Sequence, residues 1–228
     1  MTEEVMAMLK AKQAFNRSVL KGNGRPSAND TLAYSRAAKN AGHWRLAAEM
    51  LEAVERLDPD ADYASNICYY YSKDGDQKNS QKWAAIAYDR KPDSVTAYNL
   101  ALYKRDGDTT KYEQLMDECL EHDPYYSAAL TQYGRYLMEK GESLGVEYLQ
   151  QAFNIFKDKM EIGHMDDNDD INRFKSVAKL LGKSEVFFSI DQLLENKKNE
   201  KKTQGYSSAN LVGSSGSTSK LLGTSEEG

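Results

Sequence analysis

The sequence predicts an all-helical protein built of stacked helix pairs, and three observations carry that prediction. The four prolines of the chain, Pro26, Pro59, Pro92 and Pro124, recur at separations of 33, 33 and 32. A glycine series, Gly42, Gly75, Gly107 and Gly141, is interleaved with them at separations of 33, 32 and 34. Between these marks the apolar residues recur at the helical period, which gives each segment one face to bury. Two interleaved series at one period point to a repeated supersecondary unit. Proline cannot continue a helix, because it lacks an N–H and clashes with the preceding turn. Glycine supplies the left-handed backbone that closes one helix and opens a tight turn. Each period therefore reads as helix, glycine turn, helix, proline turn.

The elements follow in order. Thr2–Lys21 reads as a helix and as half a unit, since Ala14 stands to Pro26 as Ala47 stands to Pro59. The loop GNGRP joins it to the first pair, Ala28–Ala41 and His43–Leu57. In the first of that pair Leu32, Tyr34, Ser35 and Ala38 face inward, and in the second Trp44, Ala47, Ala48, Leu51 and Val54 are the apolar positions. The next pairs are Ala61–Asp74 with Gln77–Arg90, Ser94–Asp106 with Thr109–His122, and Tyr125–Lys140 with Ser143–Asp158. A helix that buries a single stripe needs stacked neighbours to complete a core.

Residues 161–170, EIGHMDDNDD, break the pattern. Their aspartates do not form a calcium loop: counted from Asp166, the sixth and twelfth positions hold Ile171 and Val177 where glycine and a bidentate glutamate are needed. They read as a solvated linker whose last aspartates favour the N-terminus of the next helix. That helix, 171–181, carries Ile171, Phe174, Val177, Ala178 and Leu181 on one face and stops at Gly182. Ser184 suits the cap of a further helix packed by Phe187, Phe188, Ile190, Leu193 and Leu194. The final segment, 203–228, holds seven serines and five glycines, too little apolar surface to order itself. Within it Leu211–Gly213 is echoed by Leu221–Gly223, either drift in a Ser/Gly tail or a pair of short binding motifs. The chain thus divides into an N-terminal half unit (1–25), about four helix-pair repeats (26–160), a linker with two capping helices (161–202) and a disordered tail (203–228).

Composition narrows the function. The net charge of −5 argues against nucleic acid as the main ligand. No window approaches a membrane-spanning run, and the N-terminus MTEEVMAMLKAKQAF lacks a secretory design, so no membrane insertion and a cytoplasmic location are expected. Cys68 and Cys119 have no CxxC partner and read as small buried hydrophobes. His43, His122 and His164 all fall at turns or loops, and no GxSxG, P-loop, GxGxxG or HExxH occurs. No catalytic residue, metal or cofactor is expected, and the chain is read as a non-enzyme.

Residues 97–124, AYNLALYKRDGDTTKYEQLMDECLEHDP, and 130–152, LTQYGRYLMEKGESLGVEYLQQA, resemble tetratricopeptide repeats. AGHWRLAAEMLEAVERLDP (41–59) is similar to the second helix of such a repeat, with Ala47, Leu51 and Val54 at its packing positions. DGDQKNSQKWAAIAYDRKP (74–92) follows with Ala84, Ala87 and Pro92, and Gly134 stands at the small position between packed helices. Ser80 and Tyr112 depart from the pattern, standing where alanine is usual. The resemblance covers about residues 27–157 and implies a right-handed superhelical solenoid with a concave groove lined by the first helix of each pair.

Residues at equal phase then form ladders along that groove. One is Ala33, Asn66, Asn99 and Gln132; a second is Arg36, Tyr69, Leu102 and Arg135; a third is Leu32, Ser65, Tyr98 and Thr131. An amide offers a donor and an acceptor together, so it pairs with a peptide backbone whatever its sequence. Asn66 and Asn99 match the asparagines by which tetratricopeptide grooves hold extended peptides, and Tyr69, Tyr98, Arg36, Arg135 and Gln132 complete the expected site. In the run NICYYYS (66–72), Tyr71 is expected to face the stack and Tyr69 and Tyr70 the groove or its flank. A clamp for an acidic EEVD tail is not expected, because Asp62, Ser65, Tyr69, Ala128 and Gln132 replace its cations. The expected role is therefore an adaptor that binds a protein or peptide in its groove. The alternatives are a dedicated chaperone for one client, or a structural subunit that uses the convex face.

Overall fold

The computed structural model describes residues 1–58, 60–165, 168–192 and 195–196. Among them are the helices named below, one 3-10 turn and further helical residues at 187–192 and 195–196, and no strand. Pro59, Asp166, Asp167, Leu193, Leu194 and the whole expected tail with its two Leu-aliphatic-Gly motifs lie outside the described residues. The helices are α1 (Glu3–Lys21), α2 (Ala28–Asn40), α3 (Trp44–Leu57), α4 (Ala64–Asp74), α5 (Gln77–Arg90), α6 (Ser94–Ala101), α7 (Thr109–His122), α8 (Ser127–Glu139), α9 (Leu144–Glu161) and α10 (Asn168–Leu180). The 3-10 turn Ser184–Val186 follows.

Short polar residues start the helices by accepting orphan N–H groups. Ser27, Asp76 and Asp108 accept from Asp30, Asn79 and Lys111, and Asp93 forms a reciprocal capping box with Thr96. At the other ends, Gly42, Gly75 and Gly141 take positive φ. The residue after each glycine donates its N–H back across the last turn: His43 to the Ala38 carbonyl, Asp76 to Tyr71 and Glu142 to Leu137, each at 2.9 Å. Gly107 does not follow. Its φ is not in the left-handed region, and α6 ends at Ala101, not near Asp106 as the spacing suggests. Tyr103 and Lys104 instead donate to Leu100 and Ala101, and the chain reaches α7 through a run of turns.

The described residues form two compact units, Met1–Tyr148 and a second that begins at Leu149. In the first, each helix from α1 to α7 packs on the next in sequence. Where the two helices of a pair cross, their backbones approach closely, and the residues there are small. Ser35 of α2 donates its hydroxyl to the Ala47 carbonyl of α3 at 2.7 Å. In the next pair the roles are exchanged: Ser80 of α5 donates to the Cys68 carbonyl of α4 at 2.7 Å. Both hydroxyls are buried, and each is satisfied by the carbonyl it faces. In α8 and α9 the same places hold Gly134 and Gly145. A Cβ on Gly145 would lie 2.6 Å from the Gly134 oxygen and 2.5 Å from the Met138 nitrogen, so only glycine fits.

The third pair breaks the rule. By phase its crossing residues are Ala101 and Tyr112. Tyr112 is fully buried against Tyr136 (4.8 Å between ring centroids) and Tyr133 (6.0 Å), and its hydroxyl has no hydrogen-bond partner among the described residues. The pair with this large residue is also the one whose first helix stops at the crossing residue itself. Tyr103, in the turns that replace the missing helix, reaches back so that its hydroxyl bonds to Ser80.

Carboxylates tie one pair to the next. Glu52 of α3 accepts from the Tyr71 hydroxyl of α4 and the Trp83 indole of α5, each at 2.9 Å, and Glu118 of α7 accepts from the Tyr88 hydroxyl of α5 at 2.7 Å. Arg90 meets Glu55 at 2.8 Å and Arg105 meets Glu139 at 2.8 Å. Ion pairs at this degree of exposure contribute at most about 1 kcal/mol each, so the apolar core carries the stability. Cys68 and Cys119 are free, buried members of that core, as the sequence suggested. In the second unit, Phe153 and Phe156 of α9 pack on Phe174 of α10, with centroids 5.3 and 5.9 Å away. Asp169 and Asp170 lie in the first turn of α10, where the helix dipole favours them.

Candidate functional site

The residues of the expected amide ladder lie on α4, α6 and α8. Asn66 is exposed, and Asn99 and Gln132 are half-buried. None of the three amide groups makes a hydrogen bond among the described residues. Other polar side chains of the unit are engaged: Asn79 donates to Asp76 at 2.9 Å, for example, and Arg45 meets Asp74 at 2.9 Å. The amides at groove phase thus keep free donor and acceptor capacity that solvent or a ligand must fill.

The neighbouring ladder is graded. Arg36 and Tyr69 are exposed, Leu102 is 42 % exposed, and Arg135 is half-buried. Tyr98 does not share their exposure. It is 5 % exposed and packs edge-on against Tyr126 at 5.3 Å, a core position. Thr131, in the same ladder as Tyr98, is buried as well and bonds its hydroxyl to the Ser127 carbonyl. Of the expected site, then, Arg36, Asn66 and Tyr69 stand open at the first two pairs. Asn99, Gln132 and Arg135 are half covered, and Tyr98 is in the interior.

Tyr69 belongs to a cluster. It meets Trp44 of α3 edge-on at 6.1 Å and Tyr70 at 6.0 Å, while Trp44 and Tyr70 lie 5.9 Å apart. The Lys73 ammonium sits over the Tyr69 ring, 5.3 Å from its centroid. Burial pushes the Tyr70 hydroxyl above its ordinary range, and the nearby Arg36 charge pulls it back. Tyr71 points the other way, into the stack. Burial and its bond to the Glu52 carboxylate raise its hydroxyl far more. Tyr71 faces the stack and Tyr69 is exposed, as expected, whereas Tyr70, expected at the groove or its flank, is buried against Trp44 and Tyr69.

Two members of this surface were not among the expected site residues. Lys73 lies one turn after Tyr69, a spacing at which helix neighbours touch, and that spacing alone marks it. Trp44 is one of the apolar positions of α3. It is half-buried at the first position of α3, with its ring against Tyr69 and Tyr70. Among the described residues no group of three His, Cys, Asp or Glu side chains is arranged to hold a metal ion, and no helix is long and apolar enough to cross a membrane. Compared with models of protein families and with curated proteins, the sequence matches none.

Proposed function

We propose that this chain is a non-catalytic protein-interaction module of tetratricopeptide-like architecture. Its helix pairs stack as a right-handed superhelix closed by C-terminal capping helices, and it works in the cytoplasm. The first-helix face holds a peptide or helix of a partner protein. Asn66 and Asn99 bond the partner's backbone, and Arg36 and Tyr69 anchor its side chains. The observation that carries this reading is the row of amides, Asn66, Asn99 and Gln132, which recur at one interval along the chain and make no hydrogen bond among the described residues. A solubilising surface has no need of such a register, whereas an extended backbone needs donor–acceptor pairs at regular steps.

The test is affinity capture from cell lysate with wild type and the double variant Asn66→Ala, Asn99→Ala, read by mass spectrometry. A partner lost with the variant, with helicity unchanged by circular dichroism, supports the groove. An unchanged set of partners refutes it and moves binding to the second-helix face.

A further inference from the structure

The Trp44, Tyr69 and Arg36 surface has a chemistry of its own. Tyr69 is 45 % exposed although it packs on two other rings, so the aromatic shelf is built but uncovered. Arg36 beside it is exposed and makes no ion pair among the described residues. Lys39 lies on the same helix, and Lys73 rests over the shelf. Several acids on the elements around the shelf are already engaged. Asp74 and Asp76 are both bound by Arg45, at 2.9 and 3.4 Å, and Asp30 accepts the Ser27 hydroxyl at 2.7 Å. In a chain of net charge −5 this is a local group of cations bordering an exposed aromatic edge, one turn from the open amide of Asn66.

An arginine without a counter-ion next to a preformed aromatic platform selects a ligand that brings both a flat or apolar side chain and a carboxylate. We infer that this surface binds a partner segment in which an aromatic side chain lies beside an aspartate or glutamate: the ring lies on Tyr69 and Trp44, and the carboxylate pairs with Arg36. This deepens the groove reading and rests on it, since Asn66 would hold the same segment's backbone. One carboxylate suffices, which sets this ligand apart from a doubly acidic tail. A nucleic acid would also offer rings and negative charge, but the acidity of the whole chain opposes a polyphosphate.

The experiment is selection of a displayed library of random dodecapeptides on the full chain. Enriched sequences are then measured as synthetic peptides by quenching of tryptophan emission. The expected enrichment is an aromatic residue within a few positions of Asp or Glu. Arg36→Glu is expected to weaken binding about tenfold or more, and Tyr69→Ala similarly, as for hot-spot contacts. Both sites are exposed, and circular dichroism of each variant is expected to match wild type. Peptides that lack the acidic–aromatic pairing, or that survive both substitutions, overturn the inference. If they are still lost with Asn66→Ala, Asn99→Ala, the groove reading stands alone. If no peptide is enriched, or if an oligothymidine binds in an Arg36-dependent way, both fall.

Discussion

Helices α4 and α8 hold the same place in their pairs but meet solvent differently. In α4 the buried residues are Ala64, Ile67, Cys68, Tyr70 and Tyr71, which leaves a stripe through Asn66, Tyr69 and Lys73 open. In α8 most of the helix is buried, and the residues in phase with Asn66 and Tyr69, namely Gln132 and Arg135, are half covered. Equal phase in a repeat gives equal direction from the helix axis but not equal exposure. The difference lies in what surrounds the helix: Tyr112, Tyr133, Tyr136 and Tyr148 fill the space around α8 with rings, and Gly134 and Gly145 let α9 press against it. The open end around α2 and α4 is therefore where a partner is proposed to sit, and around α8 the same phase is covered by neighbouring rings.

That contrast makes stability changes fall around α8. Truncation of Tyr112 to alanine is expected to cost about 3–5 kcal/mol, the usual effect of removing a fully buried ring. Tyr112→Phe is expected to be neutral or slightly stabilising, because the hydroxyl it removes has no partner. Chemical denaturation of the two variants checks this; equal losses would mean that the hydroxyl is bonded in solution. Gly145→Ala comes next, at about 1–3 kcal/mol, since its Cβ must push backbone atoms of α8 aside. An unchanged melting temperature would contradict the close crossing.

The smallest effect depends on pH. The Lys140 ammonium, followed by the Tyr136 hydroxyl, holds the Glu113 carboxyl below its ordinary range. A carboxylate whose folded pKa lies below its unfolded value adds stability that is complete at neutral pH and lost as the pH falls through the carboxylate range. Glu113→Gln is therefore expected to lower the melting temperature at pH 7, by an amount worth less than about 1 kcal/mol for so exposed a pair, and the deficit is expected to shrink at acid pH as wild-type Glu113 takes up its proton. A deficit of constant size at both pH values would show that charge is not its source.

Much of this was legible from punctuation. Prolines and glycines act locally through φ and the missing N–H, so their spacing placed the helix boundaries to within a few residues almost everywhere. Ala47, Ala48, Leu51 and Val54 were readable as core for the same reason: a helical stripe has one buried side. The exceptions share a cause. The loss of the second half of α6, the ordinary φ of Gly107 and the burial of Tyr98 depend on neighbours far along the chain, such as Tyr112 and Tyr126, and no local period carries that information. Tyr112 was visible as a departure from the usual alanine, but what a large residue does at a crossing appears only when both helices are in place. In the candidate site, the phase of Asn66 and Tyr69 was readable, while Trp44 and Lys73 joined them through contacts between elements and along one helix face.

The central claim, that a partner lies on the first-helix face at the open end, is tested most directly by photo-crosslinking. A benzophenone amino acid is placed at Tyr69 of α4 and, separately, at Gln114 of α7, an exposed second-helix position. The account predicts a crosslinked protein from the Tyr69 position and none from Gln114. Crosslinks from Gln114 with none from Tyr69 would contradict it and assign binding to the other face of the helix pairs.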